Sequence, residues 1–251
     1  MTDYSISVLE DAFKVVELIS DSAKPISLVE LTRQSSLNKN KVFRILHTLE
    51  KHRYVERDEA HTYQLGARFI TFSRNARQER SLIEASAPIL DWLAQETSET
   101  IFLGILDGQQ ALCVDARESP RSIRLTAQVG QRTPLHVGSI PKVLLAFQSE
   151  AQQNALIEGL SFELYTNHTI RNRAILVESL QSIHDQGYAV TSDDLDEGAC
   201  SVATPIFNRL GKIEAALSIA GPSNRFSEDC IAHYILLAQE GAECISQSLR
   251  G

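Results

Sequence analysis

Apolar residues along this chain follow two rhythms, a helical one near its start and a mixture of helical and alternating runs afterwards. Val42, Ile45, Leu46 and Leu49 recur at i, i+3, i+4 and i+7, which places them on one stripe of a helix expected over 39–52. Asn38 stands where that helix needs an N-cap. Ahead of it, Ser27-Leu28-Val29-Glu30 has the form of a capping box, in which Ser27 accepts from the backbone and Glu30 reaches back. A shorter helix therefore precedes the turn Ser35-Ser36-Leu37-Asn38. Beyond the second helix, Tyr54-Val55-Glu56-Arg57 and Thr62-Tyr63-Gln64-Leu65 alternate as two short strands about the polar turn Asp58-Glu59-Ala60-His61. Helix, turn, capped helix and hairpin in this order predict a winged helix-turn-helix.

The pattern changes after residue 72. Ser73-Arg74-Asn75-Ala76-Arg77-Gln78-Glu79-Arg80 is polar and lacks proline and glycine, so it reads as a connecting helix over 73–82. Leu82 to Thr97 keeps helical spacing, and Pro88 inside it predicts a break or kink. The body, 83–251, then mixes strands and helices. Strands are expected over 100–106 and 111–116, flanking the turn Asp107-Gly108, with a third over 122–129. Helices follow at 139–148, 150–159 and 172–186. A strand opens at Gly187-Tyr188-Ala189-Val190, and 201–207 with 212–220 form a second hairpin. Ser227 caps a last helix over 228–249. Neighbouring hairpin strands with helices packed on them make an antiparallel α+β layer. The division expected is a head at 1–72, a linker helix at 73–82 and the body at 83–251.

Charge sharpens the reading of the head. The chain carries −8 overall, which excludes a general nucleic-acid coat protein. Residues 1–78 nevertheless hold 12 Lys and Arg against 10 Asp and Glu, and 33–57 hold seven against two. Such a confined positive surface is what phosphate contact requires. On the second helix the face opposite the apolar stripe carries Asn40, Arg44, His47 and Lys51, flanked by Lys41 and Thr48, with Lys39 at its start. These donors crowd the N-terminal half, the half that enters the major groove in helix-turn-helix proteins. Arg44 and Lys41 suit phosphates, Asn40 and His47 suit base edges, and Arg57 and His61 lie on the wing.

Other chemistry is weakly represented. No run of 18 apolar residues is present, and the first residues lack a signal-peptide pattern, so a cytoplasmic location is expected and no membrane contact. Cys113, Cys200, Cys230 and Cys244 have no CxxC spacing and read as small buried thiols. The seven histidines show no ligand spacing, so neither a metal nor another cofactor is expected. No GxSxG, HExxH, P-loop or GxGxxG motif occurs, and no catalytic residue is assigned. Two alternatives to a DNA reader stay open, a catalytic body and a protein-interaction module.

The chain resembles IclR-type transcriptional regulators over nearly its whole length. In the head the resemblance rests on Leu28-Val29-Glu30-Leu31, on the run from Leu37 to Glu50, and on Tyr54 to Asp58 with Tyr63-Gln64-Leu65-Gly66. In the body it rests on Gly130-Gln131-Arg132-Thr133-Pro134-Leu135-His136, Lys142-Val143-Leu144-Leu145-Ala146, Glu197-Gly198, Ala203-Thr204-Pro205-Ile206-Phe207 and the run from Ala216 to Pro222. It implies a GAF-like effector-binding body, homodimers or tetramers, double-stranded operator DNA as partner, and control of catabolic operons by a small organic effector such as a carboxylate or an aromatic compound. The resemblance puts His136, Val137, Gly138, Ser139, Thr191, Asp193, Asp194, Ser201, Ser218 and Ala220 at the effector site. Pro141, Thr191 and Ala220 depart from the family's usual residues, so the effector is expected to differ from the two- and three-carbon acids of some members. Lys142 has a structural alternative, pairing with the acidic run that follows Ser192.

Overall fold

A helix ahead of all the predicted elements begins the fold: α1 (Ser7–Ser20) in the computed structural model, which describes residues 5–22, 24–75 and 77–250. It is followed by β1 (Ile26–Ser27), α2 (Leu28–Ser35), α3 (Lys39–Lys51), β2 (Val55–Arg57) and β3 (Thr62–Leu65). The strands form a small antiparallel sheet in the order β1-β3-β2. The i, i+3, i+4 stripe of α3 closes the core of this unit. Val42, Ile45 and Leu46 pack with Val15, Ile19, Leu31, Val55 and Tyr63.

Capping fixes where the two helices start. Ser27 Oγ accepts from the Glu30 N–H at 3.2 Å, and Asn38 Oδ1 accepts from the Lys41 N–H at 2.8 Å. Only half of the expected capping box forms. The Glu30 carboxylate turns along the helix to Arg33 and to Gln34 Nε2 (2.8 Å), which hold it below the ordinary carboxylate range. In the wing, Asp58 accepts from both the hydroxyl and the N–H of Thr62, at 2.6 and 2.7 Å. These bonds depress the Asp58 pKa, and His61 in the same turn has a left-handed φ of 62°.

Contacts divide the chain after Arg80. The connector is helical on both sides of Ala76, which lies outside the described residues: α4 (Arg68–Asn75) precedes it and α5 (Arg77–Thr97) follows. The break expected at Pro88 does not occur, and α5 continues through it. Leu82, Leu90 and Leu93 are buried on this helix. Each gains about 1.5–3 kcal/mol by burial, more in sum than the roughly 3 kcal/mol that an interior proline costs.

The second unit is built on six antiparallel strands. In chain order its elements are β4 (Thr100–Asp107), β5 (Gln110–Arg117), β6 (Arg132–Pro134), α6 (Ser139–Ala146), α7 (Glu150–Glu158), α8 (Arg173–Gln186), β7 (Ala189–Ser192), β8 (Ala199–Phe207), β9 (Ile213–Pro222) and α9 (Glu228–Arg250). The sheet order is β6-β5-β4-β9-β8-β7. Strand alternation sends successive side chains to opposite faces. Leu217 and Ile219 join Val202 and Ile206 beneath α5 and α9, while Ala216 and Ala203 lie beneath α6 and α8. Ser227 caps α9, accepting from the Cys230 N–H at 3.3 Å.

One predicted strand is absent. Residues 122–129 form no ladder, and the edge strand is β6, paired with β5 from Leu112↔Arg132 to Gln110↔Pro134. Ile123 and Val129 at the two ends of the alternating set are exposed, and only Leu125 and Ala127 between them are half-buried. The segment is tied to the sheet by a side chain instead, since the Thr100 hydroxyl donates to the Leu125 carbonyl at 2.7 Å.

Candidate nucleic-acid interface and ligand cavity

The outer face of α3 is an open row of hydrogen-bonding side chains. Lys39, Asn40, Arg44, His47 and Thr48 are all exposed, as are Arg57 on β2 and His61 at the wing tip. Among the described residues no carboxylate pairs with Lys39 or Arg44. Two members of the predicted set are engaged within the unit itself. Lys41 is half-buried and forms an ion pair with Asp11 of α1, and the Thr48 hydroxyl donates to the Arg44 carbonyl at 2.8 Å. Arg57 lies over the Tyr63 ring, 5.7 Å from its centroid, which fixes the guanidinium beside the wing. Phe43, not predicted at this face, is 49% exposed and lies against the His47 ring.

The second unit contains a cavity of about 340 Å³ between the β4-β9-β8 face and the start of α6. Gly138 makes the entry to that helix possible. Its φ of 75° is left-handed backbone that suits glycine, and its N–H donates to Asp194 Oδ2 at 2.9 Å. Pro141 stands in the first turn of α6, where its missing N–H costs nothing. From the next residue, Lys142, Nζ reaches the same Asp194 oxygen at 2.6 Å. Both side chains of this pair are under one tenth exposed, so each charge relies on the other.

Beside the pair runs a line of hydroxyls from four different segments. Thr191 Oγ1 and Ser201 Oγ are 2.9 Å apart, Ser201 donates to Ser139 Oγ at 2.7 Å, and Ser139 meets Ser218 Oγ at 3.2 Å. Register explains part of this, since Thr191 faces Ser201 across β7 and β8, and Ser201 faces Ala220 across β8 and β9. Apolar side chains line the cavity as well, among them Phe102, Leu112, Leu125 and Ile140. Gly104 keeps this space narrow, because a Cβ there would lie 2.6 Å from the Ile140 side chain. Two thiols also line it. Burial, aided by Asp115, pushes Cys113 up to about 11, and burial, aided by Asp193, pushes Cys200 up to about 11.

Seven of the ten residues assigned to the effector site line this cavity: Gly138, Ser139, Thr191, Asp194, Ser201, Ser218 and Ala220. The other three lie elsewhere. Val137 is fully buried. His136 Nε2 is 2.8 Å from the Glu163 carbonyl, so that nitrogen is the donor, and the ring lies between Phe162 and Tyr165. Asp193 is half-buried with φ of 59° and accepts from the Gly198 N–H at 2.6 Å, the bond that chiefly lowers its pKa. The apolar wall and Arg124, Gln131 and Thr133 were not foreseen. Their one sequence signal was the alternation of the β4-β5 hairpin, which says that one face is covered without saying what covers it.

The profile described as IclR helix-turn-helix domain matches residues 8–59, and that described as Bacterial transcriptional regulator IclR C-terminal matches 75–247. The HTH-type transcriptional regulator KdgR of Dickeya chrysanthemi is 30% identical over 98% of this chain and 80% of its own length. The acetate operon repressor of Salmonella typhimurium is 26% identical over 98% of this chain and 91% of its own. Among solved structures, an IclR transcriptional regulator from Alicyclobacillus acidocaldarius aligns with a TM-score of 0.85 and 25% identity, over 99% of this chain and all of that one.

Proposed function

Because the chain belongs to the IclR family of bacterial transcriptional regulators, we propose that it controls a catabolic operon in response to a small organic carboxylate, aliphatic or aromatic, held in the cavity at the start of α6. A DNA-binding head and an effector-binding body come with the family. The class of effector and of operon is our reading.

The observation that carries it is the line of hydroxyls through Thr191, Ser201, Ser139 and Ser218 beside a helix start. A carboxylate there would meet hydroxyl donors, the N–H groups that a first turn leaves over, and the positive end of the helix dipole. Asp194 would not repel it, since Lys142 neutralises that charge. The remainder of the ligand would rest on Phe102, Leu112 and Ile140. A volume of about 340 Å³ suits a single ring or a short chain. The relative named acetate operon repressor supports a carboxylate theme.

In the same reading, a homodimer or tetramer presents two copies of α3 to major grooves about one helical turn apart. Arg44 and Lys39 would hold phosphates, Asn40 and His47 would meet base edges, and Arg57 and His61 would follow the backbone beside the wing. Lys41, held by Asp11, would orient α3 more than reach DNA. The effector would act through unequal affinity for two states of the regulator.

The test combines thermal melting with fluorescence anisotropy on promoter DNA from the chain's own genomic neighbourhood. Short-chain acids and hydroxybenzoates are compared with their amides. Acids are expected to raise the melting midpoint and change DNA affinity, and their amides to do neither. In Ser201→Leu the response should vanish with DNA affinity intact. A response to the amides and none to the acids would overturn the carboxylate assignment.

A further inference from the structure

We propose that Phe43 reads thymine methyl groups in the major groove and is a specificity determinant of α3 beside its polar side chains. Among the described residues it is the one large apolar side chain of α3 that is exposed, at 49%. The apolar stripe of the helix is already satisfied, with Val42, Ile45 and Leu46 no more than 6% exposed, so Phe43 is not needed to complete the core. It lies in the first half of α3, the half that enters the groove in helix-turn-helix proteins.

Its neighbours decide what it meets. Lys39 lies one turn before it, Arg44 follows it, and both are exposed cations. A second copy of this face docking here would bring those cations against their own equivalents. Phosphates on either side of a groove would instead be matched by them, with the ring between. The ring has no donor or acceptor to offer a base edge. It is held ready by His47, whose ring lies nearly parallel at 13° with centroids 6.3 Å apart. Apolar contact in the major groove means the thymine C5-methyl, the group that a phenylalanine can recognise there.

The experiment begins with selection of binding sites from a random duplex library by the full-length protein, followed by anisotropy on the enriched site. Each thymine is then replaced singly by deoxyuridine, which removes the methyl and leaves every hydrogen bond in place. The wild type should lose roughly three- to fivefold in affinity at one thymine per half-site, the scale of about one buried methyl. In Phe43→Ala the thymine-to-uracil ratio at that position should fall to one, while the salt slope set by Arg44 and Lys39 stays as in wild type. A variant that still discriminates thymine from uracil would overturn the proposal. So would a wild type indifferent to every uracil, an outcome that needs no variant. Where Phe43→Ala fails to fold, Phe43→Leu replaces it, with a reduced ratio expected and an unchanged one refuting. Failure to enrich any sequence would overturn the reading role of the helix, and Phe43 with it.

Discussion

The outer face of α3 and the cavity beside α6 both offer polar groups to a partner, but they hold those groups in opposite ways. On α3 the cations Lys39 and Arg44 stand in solvent with no carboxylate partner among the described residues. Around the cavity, Lys142 and Asp194 are buried and paired, and the buried hydroxyls of Thr191, Ser139 and Ser218 are joined in a line through Ser201. An exposed cation costs little to keep and is valuable for long-range attraction. A buried one must be paired in advance, and so belongs first to the fold and only then to the ligand. Substitutions should therefore separate the two regions: function without stability on α3, stability before function at the cavity.

The largest effect is expected where the pair is broken. Lys142→Met leaves the Asp194 carboxylate buried without its cation, which should cost about 3–5 kcal/mol. Thermal unfolding would show it as a lowered midpoint of the effector-binding unit. Adding Asp194→Asn keeps an acceptor for the Gly138 N–H and removes the stranded charge, so the double variant should recover most of the loss. A double variant no more stable than the single one would show that the charge is not what Lys142 balances.

Arg44→Ala comes next and should behave differently. Loss of one charged contact is expected to weaken DNA binding about tenfold or more, reduce the salt slope by about one, and leave the melting midpoint unchanged. Anisotropy across salt checks the first two and calorimetry the third. An unchanged operator affinity would remove Arg44 from the interface and put the contrast between the two regions in doubt.

The same contrast explains what the sequence made legible. The head depends on local rules, and those rules are written in neighbouring residues: Asn38 before α3, the Val42–Ile45–Leu46 stripe, the hairpin around Asp58. The exposed cations of α3 follow by subtraction from the apolar stripe. The cavity depends on sheet register and on pairings between distant segments. Ser139 meets Ser201 across 62 positions and Lys142 meets Asp194 across 52, and no local pattern announces either. Family resemblance supplied those residues, and it also named His136 and Asp193, which the fold turns toward Glu163 and Gly198. Burial also misled where alternation was the guide. Residues 122–129 alternate like a strand, yet Ile123 and Val129 face solvent.

A smaller effect should follow from removing a cap. Asn38→Ala deletes the acceptor for the Lys41 N–H and should cost about 1 kcal/mol of the head's stability. The loss should appear in DNA affinity only as far as it frays the first turn, where Lys39 and Asn40 stand. Asn38→Asp should restore it, since aspartate caps as well, and failure of that rescue would assign the effect to something other than the cap.

The smallest expected effect belongs to the two thiols of the cavity. Burial first, and then the charge of Asp115 for Cys113 or of Asp193 for Cys200, raises each pKa from 9.0 to about 11. The folded chain therefore keeps these protons where the unfolded chain begins to lose them. The sign follows from linkage: their contribution to stability is fully present below about 9 and is lost as pH rises toward about 11. It also follows that alkylation by iodoacetamide at pH 8 should be slow at both, because the thiolate is the reacting form. Cys244, which is exposed, should label first. A carboxylate effector that fills the cavity should slow Cys113 and Cys200 further at every pH, and leave Cys244 unchanged. Fast labelling of Cys113 at pH 8 would mean that this wall opens to water in solution, and the distinction between a bonded interior and an open reading face would then weaken from the cavity side.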